Sequence, residues 1–129
     1  DIVVTATTSK QPILKQEWIQ PGTFIAAIGS YQEVDDDVAK KADKIVVDNL
    51  EQVKHRGSLR IMFDKGILTA DDTYAELGEI VAGKKRGRET DREVILLVPI
   101  GMGSEDVAVA YLAYKRAKEK KMGQEYAFF

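Results

Sequence analysis

Two short apolar runs within the first 31 residues place the strongest constraint on the fold. Residues 2–4 and residues 24–28 have the length and the β-branched or small side chains of fully buried strands. Small or hydroxyl residues follow each run, at positions 5–9 and 29–30. Open parallel sheets bind ligands at the carboxyl ends of their strands. If the two strands are parallel neighbours, their polar ends therefore border one crevice.

The rest of the chain alternates between predicted helices and strands. Residues 44–48 and 94–99 are two further buried strands, and the second is the most apolar and is expected at the centre of the sheet. Helices are predicted from the acidic residues 35–37, over 50–56, over 71–81 and from Ser104 onwards. The alternation predicts an α/β fold with a parallel sheet of about four strands. One buried face is predicted for the last helix, formed by Val107, Ala110, Tyr111, Tyr114 and Ala117.

Composition limits the possible functions. A chain of 129 residues is long enough for one domain, and its net charge of −2 provides no basic field for nucleic acid or an acidic membrane. No apolar run approaches the ~20 residues of a membrane span. Cysteine is absent, which excludes disulfides and thiolate metal ligands, and a cytoplasmic location fits best.

Several polar or aromatic residues allow a structural and a functional interpretation. Trp18 either packs in a connecting turn or stacks on a ligand ring. The aspartates at 35–37 favour a helix start over a metal site, because consecutive helical residues point in different directions. Asp48 either caps the turn that follows its strand or binds a ribose hydroxyl. Residues 84–92 form either a solvated connection or a phosphate clamp.

Motifs of common catalytic sites are absent from the chain. There is no GxGxxG, no GxxxxGK phosphate loop and no GxSxG nucleophile elbow. His55 is the only histidine, is expected to be solvated, and cannot form a histidine-rich metal site by itself. The residues alone therefore predict a ligand-binding part of an α/β sheet and no particular reaction.

Four segments resemble one enzyme family in order along nearly the whole chain. They are IVVTATTSKQPIL, WIQPGTFIAAIGS, AELGEIVAGKKRGR and IGMGSEDVAVA, and the third is fairly specific. They are similar to the ornithine cyclodeaminase/mu-crystallin family, which includes archaeal alanine dehydrogenases and reductases of cyclic imino acids.

The resemblance implies a Rossmann-type domain that binds NAD or NADP, within a homodimer whose second domain holds the substrate. Residues 1–129 would form the later part of that domain, with the Gly-rich phosphate turn and the substrate-binding Arg and Lys before Asp1. The start on a strand without Met likewise suggests an internal cut in a longer polypeptide. By resemblance, three segments contact the cofactor: Thr5, Ala6 and Thr7 along the dinucleotide, Gly29 and Ser30 near the nicotinamide, and Gly101 and Met102 over it.

The sequence departs from the family pattern at two places near these segments. Tyr31 occupies the approximate position of the acidic residue of true ornithine cyclodeaminases, and tyrosine cannot act as that carboxylate. Val98-Pro99 replaces a frequent Lys-Ser before Gly101. These departures count against cyclodeamination of ornithine as the activity.

The expected function is part of an NAD(P)-dependent oxidoreductase acting on a small amino or imino acid. The catalytic acid–base residues would lie outside the chain, and the isolated chain would be inactive. The alternatives are a non-catalytic, mu-crystallin-like binding module and an inactive fragment. An open sheet edge and the apolar tail at 126–129 predict self-association or a companion polypeptide.

Overall fold

The computed structural model describes residues 1–127 and contains a parallel sheet of five strands. The strands are β1 Ile2–Thr5, β2 Phe24–Ala27, β3 Lys44–Val47, β4 Ala75–Glu76 and β5 Ile95–Val98. Their spatial order is β1-β2-β5-β3-β4, and every neighbouring pair is parallel. The predicted α/β class and the central position of β5 are confirmed, whereas the sheet has five strands rather than about four.

Five helices connect or follow the strands. They are α1 Asp36–Lys41, α2 Leu50–Val53, α3 Arg60–Asp64, α4 Leu77–Val81 and α5 Gly103–Glu119. Aspartates lie in the first turn of α1 and lysines in its last turn, and both complement the helix dipole. The interpretation of residues 35–37 as a helix start is therefore confirmed.

The prediction of one helix over residues 71–81 is wrong. The Asp72 carboxylate accepts hydrogen bonds from the Thr69 backbone N–H at 2.6 Å and from its hydroxyl at 2.8 Å, which closes a short 3-10 turn. The next residues form β4, whose Ala75 pairs with Val46 of β3. Sheet pairing thus interrupts the helical apolar spacing, and only α4 remains helical.

One face of the sheet forms the core. The side chains of Ile25, Val47, Leu96 and Val98 point to this face, and all four are fully buried. Helices α1 to α3 cover it with buried apolar residues that include Val38, Val53 and Met62. Alternate residues of four-residue strands thus anchor the three short helices to one side of the sheet.

The opposite face of the sheet is only partly covered. Ile2 and Val4 of the edge strand β1 are 76% and 58% exposed. Beside them, α4 and the loop after it leave a largely apolar cavity of ≈ 500 Å³. Its lining includes Phe24, Val46, Leu77, Ile80, Ile95 and Leu97.

Helix α5 does not have the predicted buried face. No residue of α5 is buried, and Val107, Tyr111 and Tyr114 are 68%, 61% and 57% exposed. An apolar stripe is buried only where a second element packs on it, and within residues 1–127 none does. Tyr126 is likewise exposed, and residues 128–129 of the predicted packing tail lie outside the described residues. Over the part of the chain that is described, no helix is long and apolar enough to cross a membrane.

The core and α5 give a matched pair of leucines for a stability test. Leu96→Ala removes a fully buried side chain from β5, and we expect it to lower the free energy of unfolding by about 2–5 kcal/mol. Leu112→Ala changes a half-exposed residue of α5, and its effect should stay within ~0.5 kcal/mol. Urea denaturation of the 129-residue chain measures both. Equal losses would mean that α5 packs on the sheet.

Candidate functional site

The carboxyl ends of β1 and β2 lie side by side, as the sequence predicts. Thr5 pairs with Ala27, and the Ile28 backbone N–H donates to the Thr5 carbonyl oxygen at 2.8 Å. Residues 6–9 and residues 29–30 consequently leave the sheet at the same edge. The two polar segments border one crevice.

The Glu33 carboxylate joins these two segments. One of its oxygens accepts hydrogen bonds from the Thr5 hydroxyl at 2.7 Å and from the Gly29 backbone N–H at 2.8 Å. The other accepts from the Thr7 backbone N–H at 2.6 Å and from its hydroxyl at 2.7 Å. Glu33 is fully buried, and four donors satisfy its charge. The carboxylate therefore fixes both sides of the crevice.

The backbone of Glu33 is itself held in place. Its carbonyl oxygen accepts from the N–H groups of Ile13 and Leu14 at 2.9 and 3.0 Å, and the Asp35 N–H donates to the Leu14 carbonyl oxygen. Val34, the next residue, is fully buried in the core. The segment at residues 13–14 and the segment before α1 thus form a support beneath the carboxylate.

Burial and hydrogen bonding act in opposite directions on Glu33. Desolvation of the buried carboxylate raises its pKa, whereas the hydrogen bonds from Thr5, Thr7 and Gly29 lower it. The hydrogen bonds prevail, and the pKa of Glu33 lies below its ordinary value. Glu33 is therefore ionised at neutral pH and serves as an anchor for donors rather than as a proton donor.

A second buried carboxylate holds the loop after β5. One Asp48 oxygen accepts from the Ile100 and Gly101 N–H groups at 2.9 and 2.8 Å, and the other accepts from the Asn49 N–H at 2.9 Å. Of the two interpretations of Asp48, the structure therefore supports the turn cap. Gly101 has a φ of +77°, which strongly favours glycine.

The predicted cofactor residues lie in three groups along the same edge. Ala6, Thr7, Ser30 and Gly101 are exposed, Gly29 and Met102 are half-buried, and Thr5 is buried. The Thr5 hydroxyl and the Gly29 N–H donate to Glu33, so ligand contacts at these two residues depend on their remaining acceptor groups. A cleft of ≈ 280 Å³ separates the turn after β2 from the loop after β5. Its lining includes Gly29, Ser30, Tyr31, Arg56, Pro99 and Ile100.

Other candidate residues lie away from this crevice or serve structural roles. Trp18 is 56% exposed, with the Lys15 ammonium 5.8 Å from its ring centroid, and His55 is exposed as expected. Among residues 1–127, no group of His, Cys, Asp or Glu has the arrangement of a metal site, including the aspartates at 35–37.

The charged loop at 84–92 lies at the amino ends of the strands, opposite to the crevice. The Lys44 ammonium, at the amino end of β3, is 2.9 Å from the Glu89 carboxylate and 3.1 Å from that of Glu93. Burial lowers the pKa of Lys44, but the two ion pairs outweigh it and raise that pKa. Arg88 of this loop donates to the Glu93 carbonyl oxygen at 2.6 Å. These contacts fit a structural connection rather than a phosphate clamp.

Sequence reasoning missed Glu33 as the organising residue of the site. Glu33 lies in a polar stretch before α1 that carries no recognised motif. Its partners Thr5 and Thr7 are 28 and 26 residues away, and no local motif marks such long-range hydrogen bonds. The one available signal is the glycine four residues earlier. A Cβ at Gly29 would lie 2.3 Å from the Glu33 carboxyl carbon.

The fold and the edge crevice define a class of protein, a parallel α/β ligand-binding domain of the dinucleotide-binding type. The model of the ornithine cyclodeaminase/mu-crystallin family matches residues 1–121. The chain belongs to this family, as the resemblance of its segments implies.

Three relatives illustrate the similarity. Alanine dehydrogenase of Archaeoglobus fulgidus is 44% identical over 133 residues, which cover 100% of this chain and 41% of the relative. The solved structure of an archaeal alanine dehydrogenase dimer with bound NAD superposes with a TM-score of 0.89, at 44% identity and the same coverage. Thermococcus litoralis Δ1-pyrroline-2-carboxylate reductase, solved with NADH and L-proline, gives a TM-score of 0.87 at 38% identity, over 97% of this chain and 40% of the reductase. The chain thus spans about two fifths of the length of these relatives.

Loss of the Glu33 charge should reduce stability in a pH-dependent way. Because the pKa of Glu33 is lowered on folding, its contribution is complete above the unfolded value of about 4.3 and disappears as the pH falls through the folded value. At neutral pH, Glu33→Gln should lower the free energy of unfolding by about 2 kcal/mol. Denaturation from neutral pH to about pH 3 should show this difference shrinking. Glu17→Gln, at an exposed position, is the control, and a pH-independent difference at position 33 would contradict the assignment.

Glycine at position 29 should be required for close approach of Glu33. In Gly29→Ala the new methyl group would lie 2.3–2.6 Å from the carboxyl atoms, and we expect a loss of about 1–3 kcal/mol. Gly78→Ala in α4 is the matched control, because a Cβ there meets nothing within 4 Å. That substitution should be neutral or stabilising by up to about 1 kcal/mol. Thermal denaturation compares the two variants, and equal tolerance would exclude the steric argument.

Proposed function

We propose that residues 1–129 form the later part of the NAD(P)-binding Rossmann-type domain of an oxidoreductase that acts on a small amino or imino acid. The main support for this proposal is that three backbone segments, which follow β1, β2 and β5, meet at the carboxyl edge of the parallel sheet. The NAD- and NADH-bound structures of the family relatives support the same assignment. The Gly-rich phosphate turn and the substrate and dimerisation domain would lie outside this chain.

Two features of the edge support the proposal of a dinucleotide site. Gly101 leaves open space in the segment after β5, since a Cβ at this position would meet nothing within 4 Å. Glu33 and Asp48 bind backbone N–H groups of the segments from the protein side, which leaves ligand contacts to hydroxyl oxygens and to the second lone pairs of the carbonyl oxygens. These residues fit the nicotinamide half of NAD or NADP. The chain contains no feature that selects between the two cofactors.

Bound NAD(P) would supply hydride transfer at the nicotinamide C4 atom. The task of this chain is to hold that half of the cofactor at a fixed distance from the substrate carbon. Thr5, Ala6 and Thr7 would line the dinucleotide, Gly29 and Ser30 its nicotinamide side, and Gly101 with Met102 would cover the ring. No acid–base group of this chain is assigned, since Glu33 is ionised and fully occupied by donors.

The proposed substrate class follows from the relatives and from Tyr31. The relatives act, by their names, on alanine and on a cyclic imino acid. Tyr31 lines the cleft and is 45% exposed, and its phenol cannot replace a carboxylate. We therefore infer dehydrogenation or imine reduction rather than cyclodeamination of ornithine. A cytoplasmic location remains a prediction from the sequence.

The exposed apolar surfaces support contact with further polypeptide. Ile2 and Val4 on β1 and the apolar residues of α5 are exposed within the described chain. Side chains of this type are normally covered. We infer that they pack against other parts of the complete protein or against a second subunit.

Cofactor titration of the complete protein tests the proposal. We expect saturable quenching of intrinsic fluorescence by NADH or NADPH, and NAD(P)-dependent turnover of L-alanine or of Δ1-pyrroline-2-carboxylate. Ornithine should give no ammonia release. Tight cofactor binding without turnover on any amino or imino acid would instead support a mu-crystallin-like binding module. Absence of NADH and NADPH binding would contradict the proposal.

A further inference from the structure

The turn between α2 and α3 contacts both sides of the cleft at the sheet edge. Within this turn, Arg56, Gly57 and Ser58 belong to none of the three proposed cofactor segments. Each of them contacts one of the two backbone segments that border the cleft. The turn after β2 and the loop after β5 are otherwise separated by the ≈ 280 Å³ space between them.

Ser58 binds the turn after β2. Its fully buried hydroxyl oxygen lies 2.9 Å from the Gly29 carbonyl oxygen and 2.7 Å from that of Tyr31. The one hydroxyl proton is therefore directed at two backbone acceptors of the same turn. The carbonyl side of this turn is held by Ser58, while its Gly29 N–H is held by Glu33.

Arg56 and Gly57 bind the loop after β5. The Arg56 guanidinium donates to the Gly101 carbonyl oxygen at 3.0 Å and to the Gln52 side-chain oxygen at 2.9 Å. Gly57 has a φ of +81°, and a Cβ at this position would lie 2.7 Å from a methyl carbon of Ile100. Asp48 holds the N–H of Gly101 from the opposite direction. Both peptide groups of Gly101 are therefore fixed.

We propose that the Arg56–Gly57–Ser58 turn acts as a bridge that sets the spacing between the turn after β2 and the loop after β5. Its members are positioning residues, because they act through Gly29, Tyr31 and Gly101 rather than on a ligand. This inference rests on the proposed function, in which the two segments lie on either side of the nicotinamide. A change in their spacing then alters the distance over which hydride moves.

Two variants of the complete protein separate the two arms of the bridge. Ser58→Ala removes the contact to the turn after β2, and Arg56→Gln removes the contact to Gly101. Arg116→Gln on the exposed surface of α5 is the matched control for the arginine. Hydrogen exchange followed by mass spectrometry on peptides that cover residues 29–31 and 100–102 needs no cofactor.

If the turn is a bridge, each variant changes both segments. We expect Ser58→Ala and Arg56→Gln to speed exchange of both peptides by about threefold or more, and Arg116→Gln to change neither. Exchange that increases only in the segment each side chain touches would overturn the bridge. This readout decides the question even if the protein binds no dinucleotide, in which case the proposed function fails separately.

The effect of the bridge on catalysis can be measured through kcat and the deuterium isotope effect. In Ser58→Ala, kcat should fall about tenfold while the KM for NADH changes little, because cofactor spacing and not overall affinity is altered. The primary deuterium isotope effect with NADH deuterated at C4 should rise as hydride transfer becomes slower. A lower affinity for NADH with unchanged kcat and isotope effect would contradict a positioning role.

Discussion

The buried Glu33 carboxylate is the interaction on which the candidate site depends. An ionised group without water must be matched by donors, and four hydrogen bonds from three residues supply them. Those three residues belong to the two segments that leave β1 and β2. Hydrogen bonding to one buried charge thus fixes two loop segments side by side, and together they form one edge of the crevice.

Asp48 likewise uses a buried carboxylate to bind backbone N–H groups, here at the ends of the neighbouring strands β3 and β5. It lies at the end of β3 and draws the loop after β5 toward itself through two backbone N–H groups. Both carboxylates bind the loop segments from the protein side. The Arg56–Gly57–Ser58 turn lies between the turn after β2 and the loop after β5 and donates hydrogen bonds to both. The segments that we propose to hold the cofactor are therefore positioned by the chain's own polar groups.

The sheet could be predicted from the sequence because its signals are local. Buried strands such as residues 94–99 and the crevice between β1 and β2 follow from short apolar runs with small residues after them. Element β4 could not be predicted, since its two residues take strand geometry only by pairing with β3. The buried face of α5 was predicted wrongly for a related reason, because periodicity indicates that a face can be buried but not what covers it.

The sequence indicated the segments at this edge but not the interactions that hold them, and their contact with a cofactor stays a prediction. Resemblance directed attention to Thr5, Gly29 and Gly101, all of which lie along one edge. It gave no indication that Glu33 or Ser58 holds these segments, since most of the contacts join residues 26–29 positions apart in sequence. Backbone carbonyl and N–H groups, which every residue carries, are the partners in most of these contacts.

The central claim is that the carboxyl edge of the sheet, rather than the larger apolar cavity on its open face, receives the cofactor. Backbone amide chemical shifts of the complete protein, recorded with increasing NADH, test this claim most directly. We predict saturable changes concentrated at residues 5–9, 29–31 and 100–102. Changes centred instead on Phe24, Leu77 and Leu97, which line the cavity on the open face, would contradict the account.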